Sequence, residues 1–275
     1  MSALAKPLAK ASATLAATSD TPRLDAEVLL AAALGIGRDA LLLRPPAGPP
    51  PPLFAEMVER RRAGEPVAYI TGHRGFWNIE LEVGPGVLIP RPDSETLIAA
   101  AVEHFAGSPG PTRILDLGTG PGTLLLAALD EWPLATGIGV DFSPNALDYA
   151  RRNAERLGLA ARATLRLGDW AQGIDEAFDL ILANPPYVAR DAVLGPGVAE
   201  HEPAEALFGG DDGLDAYRTL APQLGRLIAP GGLAAIEIGF DQADSAAAVL
   251  AKAGLSSRLA LDLAGRPRAL LASSR

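Results

Sequence analysis

Three glycines, Gly118, Gly120 and Gly122, follow the apolar run Ile114–Leu117 and precede a helical pattern. Glycine lets a backbone turn sharply and lets a nucleotide-sized ligand approach with no Cβ in the way. Asp141 ends the next apolar run, where it could accept hydrogen bonds from the two hydroxyls of a ribose. The pattern therefore indicates a nucleotide-like ligand, although a strand-to-helix turn without a ligand can have the same composition.

The glycine spacing separates two ligand classes. Gly-x-Gly-x-Gly, with Thr119 and Pro121 between the glycines, departs from the Gly-x-Gly-x-x-Gly of dinucleotide-binding dehydrogenases, which sets a pyrophosphate on a helix N-terminus. Asp116 could face the cationic methionyl amino group of S-adenosylmethionine, whereas it would repel a pyrophosphate. The charge therefore favours an S-adenosylmethionine site. Pro121 could stiffen the turn or begin the following helix.

The quartet Asn184-Pro-Pro-Tyr187 directly follows the apolar run Phe178–Ala183. The Asn184 side-chain oxygen and the Pro185 carbonyl can each accept a hydrogen bond, and neither Pro185 nor Pro186 has an N–H to compete. Two such acceptors would hold a planar amino group on an sp² carbon and aim its lone pair at a sulfonium methyl. Tyr187 offers a flat wall for that group. The quartet thus indicates in-line methyl transfer by orientation and electrostatics, unless it is only a turn.

Alternating strands and helices must position these residues. A mostly parallel sheet covered on both faces is expected, with its ligands at the carboxyl ends of the strands. Helical patterns cover about residues 93–105, 123–132, 144–157, 213–228 and 241–253. The expected strands are Arg113–Leu117, Thr136–Asp141, Ala163–Leu167, Phe178–Ala183, Gly232–Ile238, Ser257–Leu263 and Ala269–Ala272.

The N-terminal part has helical spacing instead. Two or three short helices are expected between Leu4 and Leu43, then a proline-rich loop at Arg44–Pro52 and a helix at Leu53–Ala63. The last turn of that helix contains Arg60–Arg62, which would either complement the helix dipole or contact an acidic patch in this chain or a partner.

Between Val67 and Pro92 the pattern changes to short β-like runs. Phe76–Val83 and Val87–Ile89, split by Gly84-Pro85-Gly86, predict a β-hairpin that links two domains.

Composition narrows the function classes. The 275 residues are 48% hydrophobic and 21% charged, which suits about two folded domains. A net charge of −9 argues against broad phosphate neutralisation on a nucleic acid. The chain has no cysteine, and its three histidines lack metal-ligand spacing, so we expect no disulfide and no metal. We find no signal peptide and no apolar run long enough to span a membrane, and therefore expect a cytoplasmic protein.

The Asn-Pro-Pro-Tyr quartet together with Asp116–Gly120 resembles the amino methyltransferases, including those acting on adenine or cytosine in nucleic acids. Other segments narrow the resemblance to the glutamine-N5 methyltransferases of peptide chain release factors, the PrmC (HemK) family. These segments are Arg23–Leu30, Gly64–Gly72, Phe76-Trp77, Val87–Glu95, Glu202-Pro203 and Ala206–Leu214.

The resemblance implies an α/β fold, a Rossmann-like class I methyltransferase domain with a mostly parallel seven-stranded sheet. It places this domain at residues 93–275, after a helical substrate-recognition domain at 1–73 and a β-hairpin connector at 74–92. The implied methyl donor is S-adenosyl-L-methionine, with S-adenosyl-L-homocysteine as product. The implied acceptor is the glutamine of the Gly-Gly-Gln loop of class I release factors. We expect a monomer that binds no nucleic acid and no membrane.

The resemblance also assigns roles to residues. The four residues Asn184, Pro185, Pro186 and Tyr187 would hold the glutamine amide and form the catalytic site. Arg91 and Glu95 border the same pocket, either as substrate contacts or as a structural ion pair between hairpin and catalytic domain. Asp93 or Ser94 could cap the next helix. The implied donor-binding residues are Asp116, Gly118, Thr119, Gly120, Pro121, Gly122, Asp141, Asp169, Trp170 and Asn184.

Two residues depart from the family pattern. Gly75 stands where a glutamate is common, which puts in doubt a polar contact of the hairpin, and Pro121 replaces a usual Ser or Thr. Neither departure removes a proposed chemical role. The alternatives are an amino methyltransferase acting on nucleic acid, one acting on a ribosomal-protein glutamine, and a donor-binding protein without activity.

Overall fold

The structure, a computed structural model, describes residues 3–195 and 197–273. The chain forms two compact units: Met1–His73 with Leu194–His201, and Arg74–Val193 with Glu202–Arg275. The segment 74–92, expected as a separate hairpin connector, falls within the second unit. Within the described ranges, no helix is both long and apolar enough to cross a membrane.

The first unit is helical. Pro22 supplies the first residue of its second helix, and Gly35, with φ of 66°, closes that helix through N–H bonds to two carbonyls. Leucines such as Leu15, Leu29 and Leu30 are fully buried in its core. The elements are α1 (Ala5–Leu15), α2 (Pro22–Leu34), α3 (Arg38–Leu43), α4 (Pro52–Arg62), α5 (Val67–Thr71) and, later in the chain, the single turn α9 (Val198–His201).

The two or three short helices expected between Leu4 and Leu43 are confirmed as α1, α2 and α3, and the proline-rich loop and the helix after it, α4, are confirmed as well. The β-like pattern predicted from Val67 onward is wrong at its start. Val67–Thr71 is a helix, because Pro66 precedes it with extended geometry and Gly72, with φ of 78°, ends it in the left-handed region.

The arginines that end α4 each have an acidic partner. Arg60 pairs with Glu65 at 2.5 Å, Arg61 with Asp25 of α2 at 2.7 Å, and Arg62 with Glu59 at 2.7 Å, taken between the nearest nitrogen and oxygen. The acidic contact considered for Arg60–Arg62 therefore lies within the chain, and no unpaired arginine patch exists at this helix end.

The second unit is an α/β domain with a covered sheet. Its elements are β1 (His73–Phe76), β2 (Ile79–Glu82), α6 (Glu95–His104), β3 (Arg113–Leu117), α7 (Thr123–Glu131), β4 (Thr136–Asp141), α8 (Pro144–Arg156), β5 (Ala163–Leu167), β6 (Phe178–Ala183), α10 (Asp215–Leu227), β7 (Ile228–Glu237), α11 (Ala243–Lys252), β8 (Ser256–Leu261) and β9 (Pro267–Ser273).

The sheet has the order β5-β4-β3-β6-β7-β9-β8, with β9 antiparallel to both of its neighbours. The five parallel strands are near-continuous apolar runs, and most of β3, β6 and β7 is buried, as a sheet covered on two faces requires. The strand order reverses between β3 and β6, which opens a crevice at their carboxyl ends. The predicted α/β class, the seven strands and the mostly parallel pairing are confirmed.

The hairpin lies elsewhere than predicted. Its strands are β1 and β2, and its turn is at Trp77-Asn78, where Trp77 has φ of 53°. Val87–Ile89 is not a strand. Gly84 and Gly86 instead lie against α8, since a Cβ on Gly84 would meet the Tyr149 hydroxyl and one on Gly86 the Asn145 amide, both at 2.3 Å. The glycines predicted as a hairpin turn therefore pack closely against side chains of α8, and Gly86 also has a φ of 88°, which favours glycine.

Candidate active site

The glycine turn joins β3 to α7 in a conformation that needs glycine. Gly118, Gly120 and Gly122 have φ of 75°, 57° and 89°, all in the left-handed region. The helix begins at Thr123, so Pro121 stiffens the turn and does not begin the helix. The Pro121 carbonyl accepts a hydrogen bond from Asn153 Nδ2 at 2.9 Å.

Asp116 lies fully buried at the end of β3. Its Oδ2 accepts hydrogen bonds from the Thr119 hydroxyl at 2.7 Å and the Leu125 N–H at 3.1 Å, while its Oδ1 is buried with no partner among the described residues. Burial raises the pKa of Asp116 to about 7, against the two hydrogen bonds that lower it. Asp116 is one of the residues that line a cavity, and a carboxylate there with an unpartnered oxygen suits a cationic group such as an ammonium.

Asp141 ends β4 beside the glycine turn. Its Oδ2 accepts the Gly120 N–H at 2.8 Å and its Oδ1 the Ser143 N–H at 2.9 Å. Burial raises the pKa of Asp141, although the backbone N–H donors oppose this. Each carboxylate oxygen has a second acceptor direction, so both can still take ligand hydroxyls.

Two aromatic side chains border the same space. Trp170, in the predicted Asp169-Trp170 pair after β5, has φ of 49°, which is rare for a bulky residue and typical of functional sites. Its indole lies 3.5 Å from where a Cβ on Gly118 would stand. Phe142, next to Asp141, also lines the cavity although 60% exposed. Sequence reasoning missed Phe142, and an aromatic residue directly after the ribose-type aspartate was the available signal.

These residues surround a cavity of about 610 Å³, large enough for a nucleoside-sized ligand. Among the described residues, four predicted ones do not line it: Gly122, Pro185, Tyr187 and Glu95. The segment from Gly86 to Pro90, predicted as part of the hairpin, forms one wall. The predicted residues that do line it are Arg91, Asp116, Gly118, Thr119, Gly120, Pro121, Asp141, Asp169, Trp170, Asn184 and Pro186.

The Asn184–Tyr187 quartet leaves β6 at the sheet crevice. Asn184 Nδ2 donates to the Ser94 hydroxyl at 3.1 Å, so the amide oxygen Oδ1 is left without a donor among the described residues. Tyr187 Oη donates to Glu237 Oε1 at 3.2 Å, and burial raises the pKa of Tyr187, which keeps it protonated. The ring is therefore fixed from its hydroxyl end.

The Ala206–Leu214 segment packs against the backbone of the quartet. A Cβ on Gly209 would lie 2.4 Å from the Pro186 carbonyl oxygen, and one on Gly213 would lie 2.2 Å from the Tyr187 carbonyl oxygen. Gln242 Nε2 donates to that Tyr187 oxygen at 2.9 Å. The glycines of this segment are thus required for close packing against the quartet.

Arg91 and Glu95 do not pair with each other. Arg91 forms a salt bridge with the buried Glu202, whose Oε2 also accepts the Ile89 N–H at 3.0 Å. Glu95 Oε1 accepts the Trp77 N–H at the hairpin turn, at 2.9 Å. The predicted ion pair between Arg91 and Glu95 is therefore wrong. Each side chain has another partner, and of the two only Arg91 lines the cavity.

The prediction that Asp93 or Ser94 caps the next helix through its side chain is wrong. Pro92–Ser94 forms a 3₁₀ turn, and α6 follows it at Glu95. Neither Asp93 nor Ser94 makes a side-chain cap bond to this helix. Asp93 pairs instead with Arg268 Nη2 at 3.0 Å, and Ser94 accepts from Asn184.

Comparison with known proteins places both units in families. Residues 7–72 match the PrmC N-terminal domain, and residues 110–237 match a methyltransferase domain. Among solved structures, a methyltransferase from Pyrococcus furiosus aligns over 79% of this chain and 98% of its own, with a TM-score of 0.56 at 19% identity. A Thermus thermophilus 16S rRNA methyltransferase aligns over 74% and 50%, with a TM-score of 0.53 at 20% identity. At these identities the solved structures establish the fold.

Curated relatives are much closer in sequence. The release factor glutamine methyltransferase of Rhodospirillum rubrum is 45% identical over 93% of this chain and 80% of its own length. The enzyme of the same name from Caulobacter vibrioides is 43% identical over 92% and 89%. Identity at this level over almost the whole chain confirms the resemblance found in the sequence, and the chain belongs to the release factor glutamine methyltransferase family.

Proposed function

We propose that this chain transfers a methyl group from S-adenosyl-L-methionine to the side-chain amide nitrogen (N5) of the glutamine in the Gly-Gly-Gln loop of peptide chain release factors. One observation carries this proposal beyond family membership. Asn184 lines a cavity whose walls suit the methyl donor, and its NH₂ donates to Ser94, which leaves its amide oxygen as the end that can accept a further hydrogen bond. A site that offers acceptors fits an acceptor group with N–H bonds, such as a glutamine amide.

The donor cavity fits S-adenosylmethionine group by group. The unpartnered Oδ1 of Asp116 would pair with the methionyl ammonium, and the two oxygens of Asp141 would accept the ribose hydroxyls. Trp170 and Phe142 would lie against the adenine ring. S-adenosylmethionine supplies an electrophilic methyl on a sulfonium, and S-adenosyl-L-homocysteine is its product. Carboxylates around a cationic ligand lower the desolvation cost of binding it.

The acceptor side is built for orientation. An amide nitrogen is a poor nucleophile because its lone pair is delocalised into the carbonyl. Asn184 Oδ1 and the Pro185 carbonyl each accept one N–H of the substrate amide, which turns the lone pair toward the methyl group. Tyr187, fixed by Glu237, supports the flat face of the amide. The extra proton leaves after the nitrogen becomes cationic, so no strong general base is required.

A protein acceptor is favoured over a nucleic acid. The arginines at the end of α4 are each paired with a carboxylate, and the net charge is −9. Such a chain releases few counterions on a phosphate backbone. We place the activity in the cytoplasm, where release factors act, and in a monomer, because one chain supplies every proposed donor and acceptor contact.

The proposal is tested with S-adenosylmethionine labelled in its methyl group. The protein is incubated with unmodified release factors, ribosomal proteins and nucleic acid in separate reactions. We expect label in the release factors and none in a release factor whose loop glutamine is replaced by alanine. Label in the ribosomal proteins or nucleic acid, with none in the release factors, would overturn the assignment.

A further inference from the structure

The orientation of the Asn184 amide is chemically decisive but sterically undetermined. The oxygen and NH₂ of an amide are nearly equal in size, so packing alone does not choose between the two orientations. With Oδ1 toward the cavity, Asn184 accepts from the substrate amide. With Nδ2 there, a donor would face a donor. Something beside Asn184 must therefore select the working orientation.

Ser94, which also lines the cavity, contacts the NH₂ end of this amide. Ser94 is 2% exposed, and its hydroxyl oxygen accepts from Asn184 Nδ2 at 3.1 Å. A serine hydroxyl can both donate and accept. If it donated to Asn184, the amide would turn over and present Nδ2 to the cavity. The direction of the Ser94 hydrogen thus decides which end of Asn184 faces the substrate.

The Glu237 carboxyl is a candidate acceptor for the Ser94 hydroxyl hydrogen. Ala183 pairs with Ile236 in the parallel ladder, so Asn184 and Glu237 are the next residues on neighbouring strands. Glu237 is fully buried, its Oε1 accepts from Tyr187, and its Oε2 is buried without a partner in the described chain. Ser94 faces this carboxyl and stabilises its charged form. An ionised carboxylate only accepts, so the unpartnered Oε2 is an acceptor toward which the Ser94 hydrogen can turn, and that orientation leaves Ser94 as an acceptor toward Asn184.

We propose that Ser94 and Glu237 are positioning residues that fix the Asn184 amide with its oxygen toward the acceptor glutamine. The same carboxyl holds the Tyr187 hydroxyl, so a single buried group aligns both ends of the quartet. Neither residue need touch the reacting atoms. The inference rests on the proposed function, because it concerns the orientation of the group that holds the substrate amide.

Titration of Glu237 gives a pH dependence to the relay, the series of contacts that runs from Glu237 through Ser94 to Asn184. Burial raises the pKa of Glu237 to about 7. Once protonated, the carboxyl can donate to Ser94, which frees the Ser94 hydrogen to turn toward Asn184. The rate at saturating substrate should therefore fall as pH drops through about 7. The groups facing Glu237 are the hydroxyls of Ser94, Tyr187 and Tyr217, the Arg268 guanidinium and the Asp93 carboxyl.

The test compares kcat, the KM for release factor and the Kd for S-adenosylmethionine in Ser94→Ala, Glu237→Gln and the double variant. We expect kcat to fall about tenfold in each single variant, the size of one lost hydrogen bond. The KM and Kd should stay within about threefold, and the double variant should be less impaired than the product of the single effects. Ser245→Ala is the matched control, because Ser245 donates to the Gln242 carbonyl and is outside the relay.

Three results would overturn the relay: an unchanged kcat in Ser94→Ala, independent multiplication of the two effects, or an unchanged pH profile of kcat in Glu237→Gln. A magnetic resonance measurement on the protein without substrate tests the relay independently of the proposed function. The side-chain NH₂ resonances of Asn184, identified by their loss in Asn184→Ala, should shift in Ser94→Ala and move with pH through about 7 in the wild type only. If the wild type is inactive on release factors but shows these resonance shifts, the substrate assignment is refuted and the relay is supported. If the wild type is active but shows no such shifts, the relay is refuted and the substrate assignment is supported.

Discussion

Replacing Gly209 by alanine should reduce catalysis by moving the backbone that holds the acceptor amide. A Cβ there would lie 2.4 Å from the Pro186 carbonyl oxygen and 2.9 Å from the Gly213 carbonyl oxygen. Both obstacles are backbone atoms, so no side-chain rotation relieves them. The Pro186 carbonyl must retreat by about 0.6 Å to reach even a tight contact, and a displacement near 1 Å at reacting groups costs about a hundredfold in rate.

The expected result is a kcat at least about tenfold lower, with the Kd for S-adenosylmethionine within about threefold of the wild type, since Asp116, Asp141 and Trp170 lie on or after other strands. Overpacking of this kind costs about 1–3 kcal/mol of the free energy of unfolding, which lowers the Tm by about 2–12 °C. Enzyme assays with a release factor, calorimetric titration with the donor and thermal unfolding measure the three quantities.

Gly225→Ala is the matched control. Gly225 is exposed inside α10, and a Cβ there meets nothing within 4 Å. Alanine at an exposed helix position should raise the free energy of unfolding by about 0.5–1 kcal/mol and leave kcat unchanged. A Gly209→Ala variant that keeps the kcat and Tm of the wild type, or a Gly225→Ala control that loses activity equally, would refute the role of this close contact.

Three further predictions concern other parts of the site. Asn184→Ala should lower kcat by about a hundredfold or more and leave donor affinity within about threefold, measured by steady-state kinetics and calorimetry; loss of donor binding with an intact kcat would contradict this division of roles. Burial raises the pKa of Asp116 to about 7, so donor affinity measured by calorimetry should fall by at most about tenfold per pH unit as pH drops through 7, because the neutral acid no longer pairs with the ammonium. Asp116→Asn should bind the donor weakly at every pH in this range, and a variant that keeps the pH dependence would show that another group is responsible. Asn153→Ala should lower the free energy of unfolding by about 2–5 kcal/mol in urea titrations, since Asn153 is fully buried and bonds the backbone of Glu82 and Pro121; Asn145→Ala, which loses one exposed hydrogen bond, should cost less than about 1 kcal/mol.

The sheet and its ligand edge were predictable because their signals are local. Strands β3, β4, β5 and β6 have the bounds predicted for them, since each is an apolar run between glycines or polar turns. The glycine turn at Gly118–Gly122 was predictable for the same reason, because its positive φ values occur at glycines, which have no Cβ and adopt this conformation readily.

The hairpin could not be placed correctly from local pattern alone. Gly84-Pro85-Gly86 has the composition of a turn, but its glycines pack against side chains of α8, more than fifty residues later in the chain. The true turn uses Trp77 in a left-handed conformation, which Glu95 and Glu131 support by accepting from its backbone N–H and its indole N–H. Such tertiary support overrides the preference of a bulky residue.

The roles of several buried polar residues could not be predicted from the sequence either. Ser94, Asn153, Glu237 and Gln242 acquire their roles from partners far away in sequence, and none belongs to a short motif that names a chemistry. A glutamate inside the apolar run Ala234–Ile238 was the available signal, because a buried carboxyl needs partners. Its neighbour Asn184 becomes evident only when β6 and β7 are paired.

The most direct test of the central claim is to map the methyl group on a release factor after incubation with this protein and S-adenosylmethionine. Fragmentation mass spectrometry of the peptide that contains the Gly-Gly-Gln loop locates the added methyl, and the Asn184→Ala variant serves as the paired reaction. The account predicts one methyl on the side-chain amide nitrogen of that glutamine with the wild type and almost none with the variant. A methyl on any other residue, or equal methylation by the variant, would contradict it.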